Sequence, residues 1–475
     1  MGLSRRQLLL MGGGAAALAA VPVGQHLAWG MKDFTRPGYD PNLPAAAEGE
    51  KAWMNWSGIE RATPKQMFVP ASEDELAEFV KTASGPIRPV GSGHSFTGLA
   101  PSEGSMVDVS RISGMQSYDA STGTVTFGAG TRLRQAAQQM ADIGLAWPNQ
   151  PDIDVQTLAG SFATGTHGTG RNLTAIHDQI VSFRMITATG DIIEVDRDTS
   201  PELFGAGKVS LGALGIVTQY TLRMVPSYNL RRLVWVEKIG TLIEKALELA
   251  RQHRNFEFYY FPGTGHAAAI THDLHDGPVS GQATSEDDTL LADLRGVRDL
   301  IGWAPWIRRK LMEGSLPKGV VEDVTDESWR LLSTTRPIKF NEMEYHLPED
   351  NGMQGIRDTV KFFDGLKEAF FPIEFRWTGQ DDALLSPFNS GTRISIATHA
   401  GVDERYDYLF DGVEPMHRAK GGRPHWGKLH SLGRADLEAL YPGFGDFLRI
   451  RRELDPSGKF LNPHLAHLFG EDFNG

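Results

Sequence analysis

Three glycine-dense stretches fall in the first half of the chain and constrain its fold more than any other feature. They are Pro89-Val90-Gly91-Ser92-Gly93-His94-Ser95-Phe96, then Gly160-Ser161-Phe162-Ala163-Thr164-Gly165-Thr166-His167-Gly168-Thr169-Gly170, then Gly212-Ala213-Leu214-Gly215-Ile216-Val217. Glycine enters left-handed backbone at little cost and lets several N–H groups converge, so the first stretch predicts a nest for anionic oxygens. The second spaces small hydroxyl residues among its glycines, as in a phosphate cradle whose charge is met by N–H and O–H donors rather than lysine. The third would let a strand edge approach a flat ligand. Any one of these could be an ordinary turn; three in one domain outweigh that reading. The ligand-binding candidates are Pro89, Val90, Gly91, Ser92, Gly93, His94 and Ser95, then Thr157, Gly160, Ser161, Thr164, Gly165 and His167, then Gly215 and Ile216. No Gly-x-Gly-x-x-Gly stands between a strand and a helix here, which argues against a Rossmann dinucleotide site.

At 475 residues the chain exceeds one ordinary core, so two domains are expected. Hydrophobic residues at 40% and charged residues at 22% describe a soluble globular protein. The balance of 47 basic against 59 acidic residues, net −12, argues against a broad nucleic-acid face. Cysteine is absent. That excludes disulfides, thiolate zinc sites, iron–sulfur ligation and a cysteinyl cofactor link. No metal site is expected.

Residues 1–30 read as an address. Arg5-Arg6 precedes Gln7-Leu8-Leu9-Leu10 and a weakly apolar Gly/Ala-rich stretch reaching about Val23, too short and too glycine-rich for a membrane span. A twin arginine before such a segment predicts a Tat signal, an ordinary Sec signal or N-terminal anchor being the alternative. Ala17-Leu18-Ala19 and His26-Leu27-Ala28 both fit a cleavage site. Tat exports folded proteins, which suits a chain that loads a ligand before export. Residues 31–54, with Thr35–Pro41 rich in Pro and Gly, predict an extended leader.

From Lys65 to Leu222 short elements follow quickly. Glu73–Thr82 and Arg132–Ile143 have helical spacing, while Arg88–Val90, Met106–Asp108, Thr124–Phe127, Phe183–Ala188 and Ile192–Val195 predict strands. After Pro226-Ser227 the strands lengthen: Leu230–Val236, Phe256–Phe261, Pro337–Leu347, Phe371–Trp377 and Ile394–Thr398, with helices at Ile243–His253 and Gly355–Leu366. An antiparallel sheet with helices on one face is the expectation. Asp273–Asp293 predicts a loop, and Leu294–Leu311 an amphipathic helix turning Leu300, Ile301, Trp303 and Trp306 to the core, a membrane-touching face being the lesser alternative. Glu374-Phe375-Arg376 places two charges at period two, hence on one face of a strand. His399 is a weaker candidate for the same pocket.

The segments RPVGSGHSFTGLAPSEGSMVDVSR, GAGTRL, QTLAGSFATGTHGTG and the late RPHWGK resemble the vanillyl-alcohol-oxidase-type FAD enzymes. The resemblance is to their sugar-lactone oxidase branch of D-arabinono-1,4-lactone and L-gulono-1,4-lactone oxidases, with alditol oxidases nearby. It runs from about Trp56 to Leu468 and is looser between Tyr228 and Leu332. It implies FAD in the glycine cradle, with His94 joined to the 8α carbon of the flavin and His167 packed or hydrogen-bonded at the pyrophosphate. Pro151 holds a position linked to oxygen access in that family and tilts the expectation towards an oxidase; Asp152 falls where the family places a polar residue near N5. The resemblance puts Glu374 and Arg376 on the floor of the substrate pocket. Arg376 would hold a substrate oxygen or stabilise charge at the flavin N1–C2=O, and Glu374 would accept substrate hydroxyls. Lys428 matches the family's active-site lysine and would help remove the hydroxyl proton or serve the reaction with oxygen. Glu342 and Glu344 in FNEMEYHLP resemble the branch's strand without an assigned role.

The expectation is an α+β, two-domain flavoprotein. A PCMH-type FAD-binding domain would span 55–225, and a cap domain on an antiparallel sheet with helices would span 226–422. Residues 423–475 would return to cover the flavin. The chain would oxidise a hydroxyl of a sugar-1,4-lactone or related polyol, pass a hydride to flavin N5 and reduce O2 to hydrogen peroxide. It would be exported by the Tat machinery to the periplasm or beyond, anchored if the signal is kept. The alternatives are an envelope dehydrogenase passing electrons to a quinone or cytochrome, and a non-catalytic flavin-binding protein.

Overall fold

The computed structural model describes residues 23–45, 51–281, 287–317, 319–334 and 338–473. The Arg5-Arg6 pair, the apolar stretch behind it and Ala17–Ala19 lie outside the described residues.

The first domain opens with a three-stranded parallel sheet: β1 Gln66–Phe68, β2 Ile87–Val90 and β3 Ser105–Asp108, in the order β1-β3-β2. Parallel strands of one sheet need crossover connections, and the helix Glu73–Thr82 lies in the one between β1 and β2. Ser72 caps it by accepting from Glu75 N. Glu73, Asp74 and Glu75 crowd its positive end, and Lys81 sits in its last turn. Its apolar stripe, Leu76 and Val80, packs with Ile87, Val107, Ile186 and Ile216. Next comes a five-stranded antiparallel sheet: β4 Met115–Asp119, β5 Thr124–Gly128, β6 Ile180–Ile186, β7 Ile192–Asp196 and β8 Ile216–Arg223, in the order β7-β6-β8-β5-β4. The glycine stretches lie in the connections of these two sheets. Residues 91–95 leave β2, residues 160–170 begin inside the helix Leu158–Ala163 and precede β6, and residues 212–215 run into β8.

The second domain is an eight-stranded antiparallel sheet. Its strands are β9 Asn229–Lys238, β10 Asn255–Tyr260, β11 His266–His275, β12 Gly319–Glu327, β13 Phe340–Pro348, β14 Ile373–Thr378, β15 Arg393–Gly401 and β16 Arg423–Pro424. The order is β12-β9-β11-β10-β14-β15-β13-β16. Period-two alternation divides the residues of these strands between two faces. Phe256, Phe258, Met343, Tyr345, Leu347, Phe375 and Ile396 share one core with Leu242 and Ala246 of the helix Ile239–Gln252 and with Ile356 and Val360 of the helix Glu349–Gly365. The intervening residues, Glu257, Tyr259, Glu342, Glu344, His346, Glu374 and Arg376, point to the opposite face, towards the first domain. After β16 the chain runs back along the first domain, where Asn462 Nδ2 donates to Gly98 O at 2.7 Å and Lys459 Nζ to Val80 O at 2.8 Å.

Two expectations about elements need correcting. The stretch Leu294–Leu311 is two helices, Asp287–Ile301 and Pro305–Ser315, because a turn at 302–304 is followed by a proline at the first helical position. Ile301 and Trp303 are buried, but Leu300 and Trp306 are 61% and 63% exposed. The loop expected at Asp273–Asp293 begins inside β11, and its end, from Asp287, is helical. Residues 23–30, placed within the signal, form a helix whose Trp29 is buried beside Trp303 and donates from Nε1 to Arg298 O at 3.0 Å. Among the described residues no helix is long and apolar enough to cross a membrane.

Candidate active site

A cavity of about 350 Å³ runs between the two domains, with the glycine stretches at one end and the polar face of the second sheet at the other. Most of the residues expected in the site line it: Pro89 to Ser95, Pro151, Asp152, Thr157, Gly160, Thr164, His167, Gly215 and Ile216, together with Glu374, Arg376, His399 and Lys428.

The cradle is built from backbone. Gly91 approaches so closely that a Cβ there would run into Thr157 Oγ1, and Gly93 has a left-handed φ of 67°. The turn is fixed from outside: Ser92 Oγ donates to Val155 O, Trp56 N to Gly93 O and Phe96 N to Gly427 O, each at 2.7 Å. Arg88, inside β2 just before the turn, donates from its guanidinium to the carbonyls of Leu99, Leu211, Gly212 and Phe460, tying the first glycine stretch to the third. Within the cavity wall, Gln156 Oε1, Thr157 Oγ1 and Thr166 Oγ1 are buried without a hydrogen-bond partner among the described residues. Buried polar atoms rarely stay unpaired. These orphans and the glycine backbone fit the phosphates and ribityl hydroxyls of FAD.

His94 lies on the wall with its ring stacked on Trp56, centroids 5.2 Å apart. Burial, then the charges of Lys428, Arg132 and Lys339, hold its pKa down to about 4, so the imidazole is neutral. Two residues expected in the cradle do not line the cavity. Ser161 is one turn inside the helix Leu158–Ala163, where its hydroxyl donates back to Thr157 O, and Gly165 forms the left-handed turn behind that helix; neither lines the cavity. His167, expected at the pyrophosphate, has both ring nitrogens engaged with Gly168, Thr378 and Glu344.

At the chemical end, antiparallel register sets the pairs. Arg376 on β14 faces Glu257 on β10, and Glu374 faces Tyr259. Tyr259 OH donates to Glu374 Oε1 at 2.7 Å, and the same oxygen lies 3.4 Å from Arg376 Nε. From β13, Glu344 Oε1 accepts from Arg376 Nη2 at 2.8 Å. Burial opposes the charge of Arg376, but Glu374, Glu344, Tyr259 and Glu257 overcome it and hold the guanidinium well above its ordinary range. Burial likewise opposes ionisation of Glu344, yet Arg376 and His167 hold its carboxyl well below the usual range. Glu257 is pushed the other way, up to about 8, by burial and then by Glu374 and Asp152.

Lys428 arrives on the turn after β16. His425 N donates to Glu344 O and Leu429 N to Glu342 O, which brings Lys428 Nζ onto Glu342 Oε2. His399 on β15 stands 3.7 Å from the other oxygen of Glu342, and burial lowers its pKa. Asp152 Oδ1 accepts from Thr334 Oγ1 at 3.0 Å at the rim, and Pro151 O accepts from Ser333 Oγ at 2.7 Å. The residues missed from sequence are therefore Glu257, Tyr259, Glu342, Glu344 and Arg88. For Glu342 and Glu344 the signal was present, since FNEMEYHLP has the same period-two spacing as Glu374-Phe375-Arg376.

Residues 64–196 match the FAD binding domain family. The fold is shared with cholesterol oxidase from Brevibacterium sterolicum, at a TM-score of 0.73 and 15% identity over 92% of this chain and 100% of that one. A PCMH-type flavin fold with a carboxylate–arginine pocket defines an FAD-dependent oxidoreductase acting on CH–OH groups. Residues 220–468 match D-arabinono-1,4-lactone oxidase, and the chain belongs to this family. Among its relatives, L-gulono-1,4-lactone dehydrogenase of Mycobacterium tuberculosis is 32% identical, over 88% of this chain and 99% of that protein. L-gulonolactone oxidase of Bos taurus is 28% identical over 88% and 98%. An alditol oxidase of Streptomyces is 27% identical over 88% and 99%. Relatives named as oxidases and dehydrogenases leave the non-catalytic alternative without support.

Proposed function

We propose that the protein oxidises a hydroxyl of a sugar-1,4-lactone, or of a related polyol, with O2 as electron acceptor and hydrogen peroxide as product. The observation that carries this reading is the buried Glu374–Arg376 pair on the cavity floor, oriented by Tyr259 and Glu344. FAD, when bound, supplies the hydride acceptor at N5. Glu374 accepts hydrogen bonds from substrate hydroxyls, and Arg376 holds a substrate oxygen or the negative charge that develops opposite it. Lys428, paired with Glu342, takes part in removing the hydroxyl proton, and His399 borders the same carboxylate. Asp152 contributes a polar group at the rim. The cradle from Pro89 to Ser95 holds the cofactor, and His94, neutral and stacked on Trp56, is the residue for a covalent link. We assign 55–225 to the FAD-binding unit, 226–422 to the substrate unit and 423–475 to the returning segment.

Pro151 on the wall supports an oxidase. The 32% identity to a protein named as a dehydrogenase favours the second reading, in which a quinone or cytochrome takes the electrons. Two measurements on purified holoenzyme separate these. First, lactones, alditols and aldoses are screened for anaerobic loss of flavin absorbance, with a 1,4-lactone expected to bleach it. Then peroxide is compared with dye reduction under air; turnover with dye and no peroxide would sink the oxidase reading, and no bleaching by any lactone or polyol would sink both.

Export is the remaining part of the proposal. Arg5-Arg6 followed by a short apolar stretch supports the Tat route to the periplasm or beyond. Arg5→Lys with Arg6→Lys should leave the protein in the cytoplasm; unaltered export of the double variant would count against it.

A further inference from the structure

His167 belongs to the glycine cradle of the first domain, yet its ring is turned into the second. Its Nε2 lies 3.1 Å from Glu344 Oε1, and its Nδ1 lies 2.9 Å from Gly168 O and 3.2 Å from Thr378 Oγ1. The side chains of His167 and Glu344 are each 1% exposed. Arg376 Nη2 donates to the same Glu344 oxygen at 2.8 Å. One carboxylate oxygen is thus shared between imidazole and guanidinium, and Arg376 Nη1 keeps no protein hydrogen bond among the described residues.

We infer that His167 and Glu344 are positioning residues, and that the buried chain His167–Glu344–Arg376 sets the direction and the effective charge of the guanidinium at the flavin and substrate. The inference rests on the role given to Arg376 above. An arginine side chain has many rotamers, and its usefulness to a ligand depends on which donors point inward. Charge-assisted hydrogen bonds to a fixed carboxylate remove that freedom, as outer partners do for metal ligands and other site residues. A buried guanidinium also needs a carboxylate that substrate does not compete for. Glu374 is engaged by Tyr259 and is the carboxylate assigned to substrate; Glu344 holds the arginine through Oε1, the oxygen it shares with His167, while its Oε2 has no hydrogen-bond partner among the described residues. His167 holds Glu344 from the cradle side, so the element that grips the cofactor also fixes the arginine that acts beside it.

A metal reading of the same cluster is weaker. Ligand atoms of His167, Glu344 and His346 lie within 4.8 Å of one another. The Arg376 guanidinium already sits on Glu344, however, and its fixed positive charge repels a cation at that point.

The test compares holoenzyme of wild type, His167→Leu, His167→Gln and Glu344→Gln. Glutamine keeps an N–H donor for Glu344; leucine does not. Bound FAD per chain and melting temperature are measured first. Sulfite affinity of the bound flavin and the anaerobic rate of flavin bleaching by L-gulono-1,4-lactone follow. His167→Leu should bleach roughly 10-fold slower at unchanged FAD content, and His167→Gln should recover most of that loss. Glu344→Gln removes the negative charge shared with Arg376, so sulfite should bind about 10-fold tighter while bleaching slows. Loss of packing alone would not drive those two readouts in opposite directions. Equal bleaching by His167→Leu and wild type, or no advantage of Gln over Leu, would overturn the inference. So would a stoichiometric divalent metal in wild type that His167→Leu lacks. If Glu344→Gln takes up no FAD, the pair at residue 167 decides. If no lactone bleaches wild type, the proposed substrate fails by itself; sulfite affinities unchanged in both Glu344→Gln and His167→Leu would then overturn the positioning role separately.

Discussion

His94 combines two properties that a covalent flavin anchor needs. It lies on the cavity wall beside the glycine turn, and it is neutral because burial and the nearby charges of Lys428, Arg132 and Lys339 hold its pKa down to about 4. A neutral imidazole keeps a lone pair for attack, whereas an imidazolium has none. Trp56, stacked at 5.2 Å, limits the ring's orientation. Acid-precipitated wild-type protein should therefore give a yellow pellet. His94→Ala should still bind FAD, because the cradle is backbone, but should release it all into the supernatant on precipitation. A colourless wild-type pellet would end the covalent proposal. At this scale the sequence was informative where chemistry is carried by residue type and local spacing: the Gly-x-Gly-His-Ser turn, Glu374-Phe375-Arg376, and Lys428 in RPHWGK. It misdirected where a partner is distant. Nothing next to His167 shows that Glu344, 177 positions away, will take its ring.

The strands β13 and β14 show what a whole element adds. Glu342, Glu344 and His346 occupy alternate positions of β13, as Glu374 and Arg376 do on β14, so each strand offers one polar and one apolar face. That pattern is legible in sequence; which strands become neighbours is not, and only the fold turns the four charges Glu342, Glu344, Glu374 and Arg376, with Lys428 from the turn after β16, into two ion-paired sets. Among the strands that escaped notice, β11 and β12 did so for different reasons. β11, HAAAITHDLH, is rich in alanine, which has little strand preference, and is held by neighbours on both sides. β12, GVVEDVTDE, is the acidic edge of the sheet, and charge at an edge discourages pairing with another chain. On the apolar face of β14, Phe375 stacks on Phe258 with centroids 4.6 Å apart and is fully buried. Phe375→Ala should cost about 3–5 kcal/mol of stability by leaving a cavity in that core. Since its side chain points away from Glu374 and Arg376, turnover per bound flavin should stay close to wild type at low temperature. Urea unfolding and a flavin-normalised rate check both halves; a large drop in the normalised rate would mean that the strand's two faces are not independent.

Across the whole molecule, burial has set many histidines against their solution behaviour. His272, His417 and His430 are held down to about 3 and His464 to about 4, each first by burial. Unfolding lets such groups take up protons below their ordinary 6.5, so the stability they support is present above pH 6.5 and lost as pH falls towards 4. Two carboxyls act oppositely. Burial raises Glu60 to about 7 and Glu257 to about 8, so they stay protonated in the fold and release protons on unfolding. Their contribution is present at low pH and lost as pH rises from about 4.5 through 7 to 8. Between pH 5 and 6.5 the four histidines outnumber the two carboxyls and stability should climb with pH. Above 6.5 only the carboxyls still titrate and stability should decline. Each unbalanced proton is worth at most about 1.4 kcal/mol per pH unit, and relaxation or water entry in the real interior lowers that. The melting midpoint of the holoenzyme should therefore peak near pH 6.5, fall steeply towards pH 5 and fall more gently towards pH 8. The steep acid side has a definite origin: burial, and after it the nearby Arg232 and Arg254 at His272 and His464 and His467 at His430, disfavours a charged imidazole at both positions. A midpoint that rises steadily as pH drops from 6.5 to 5 would mean that these imidazoles are charged in the fold, and that the core around them is wetter than its packing implies.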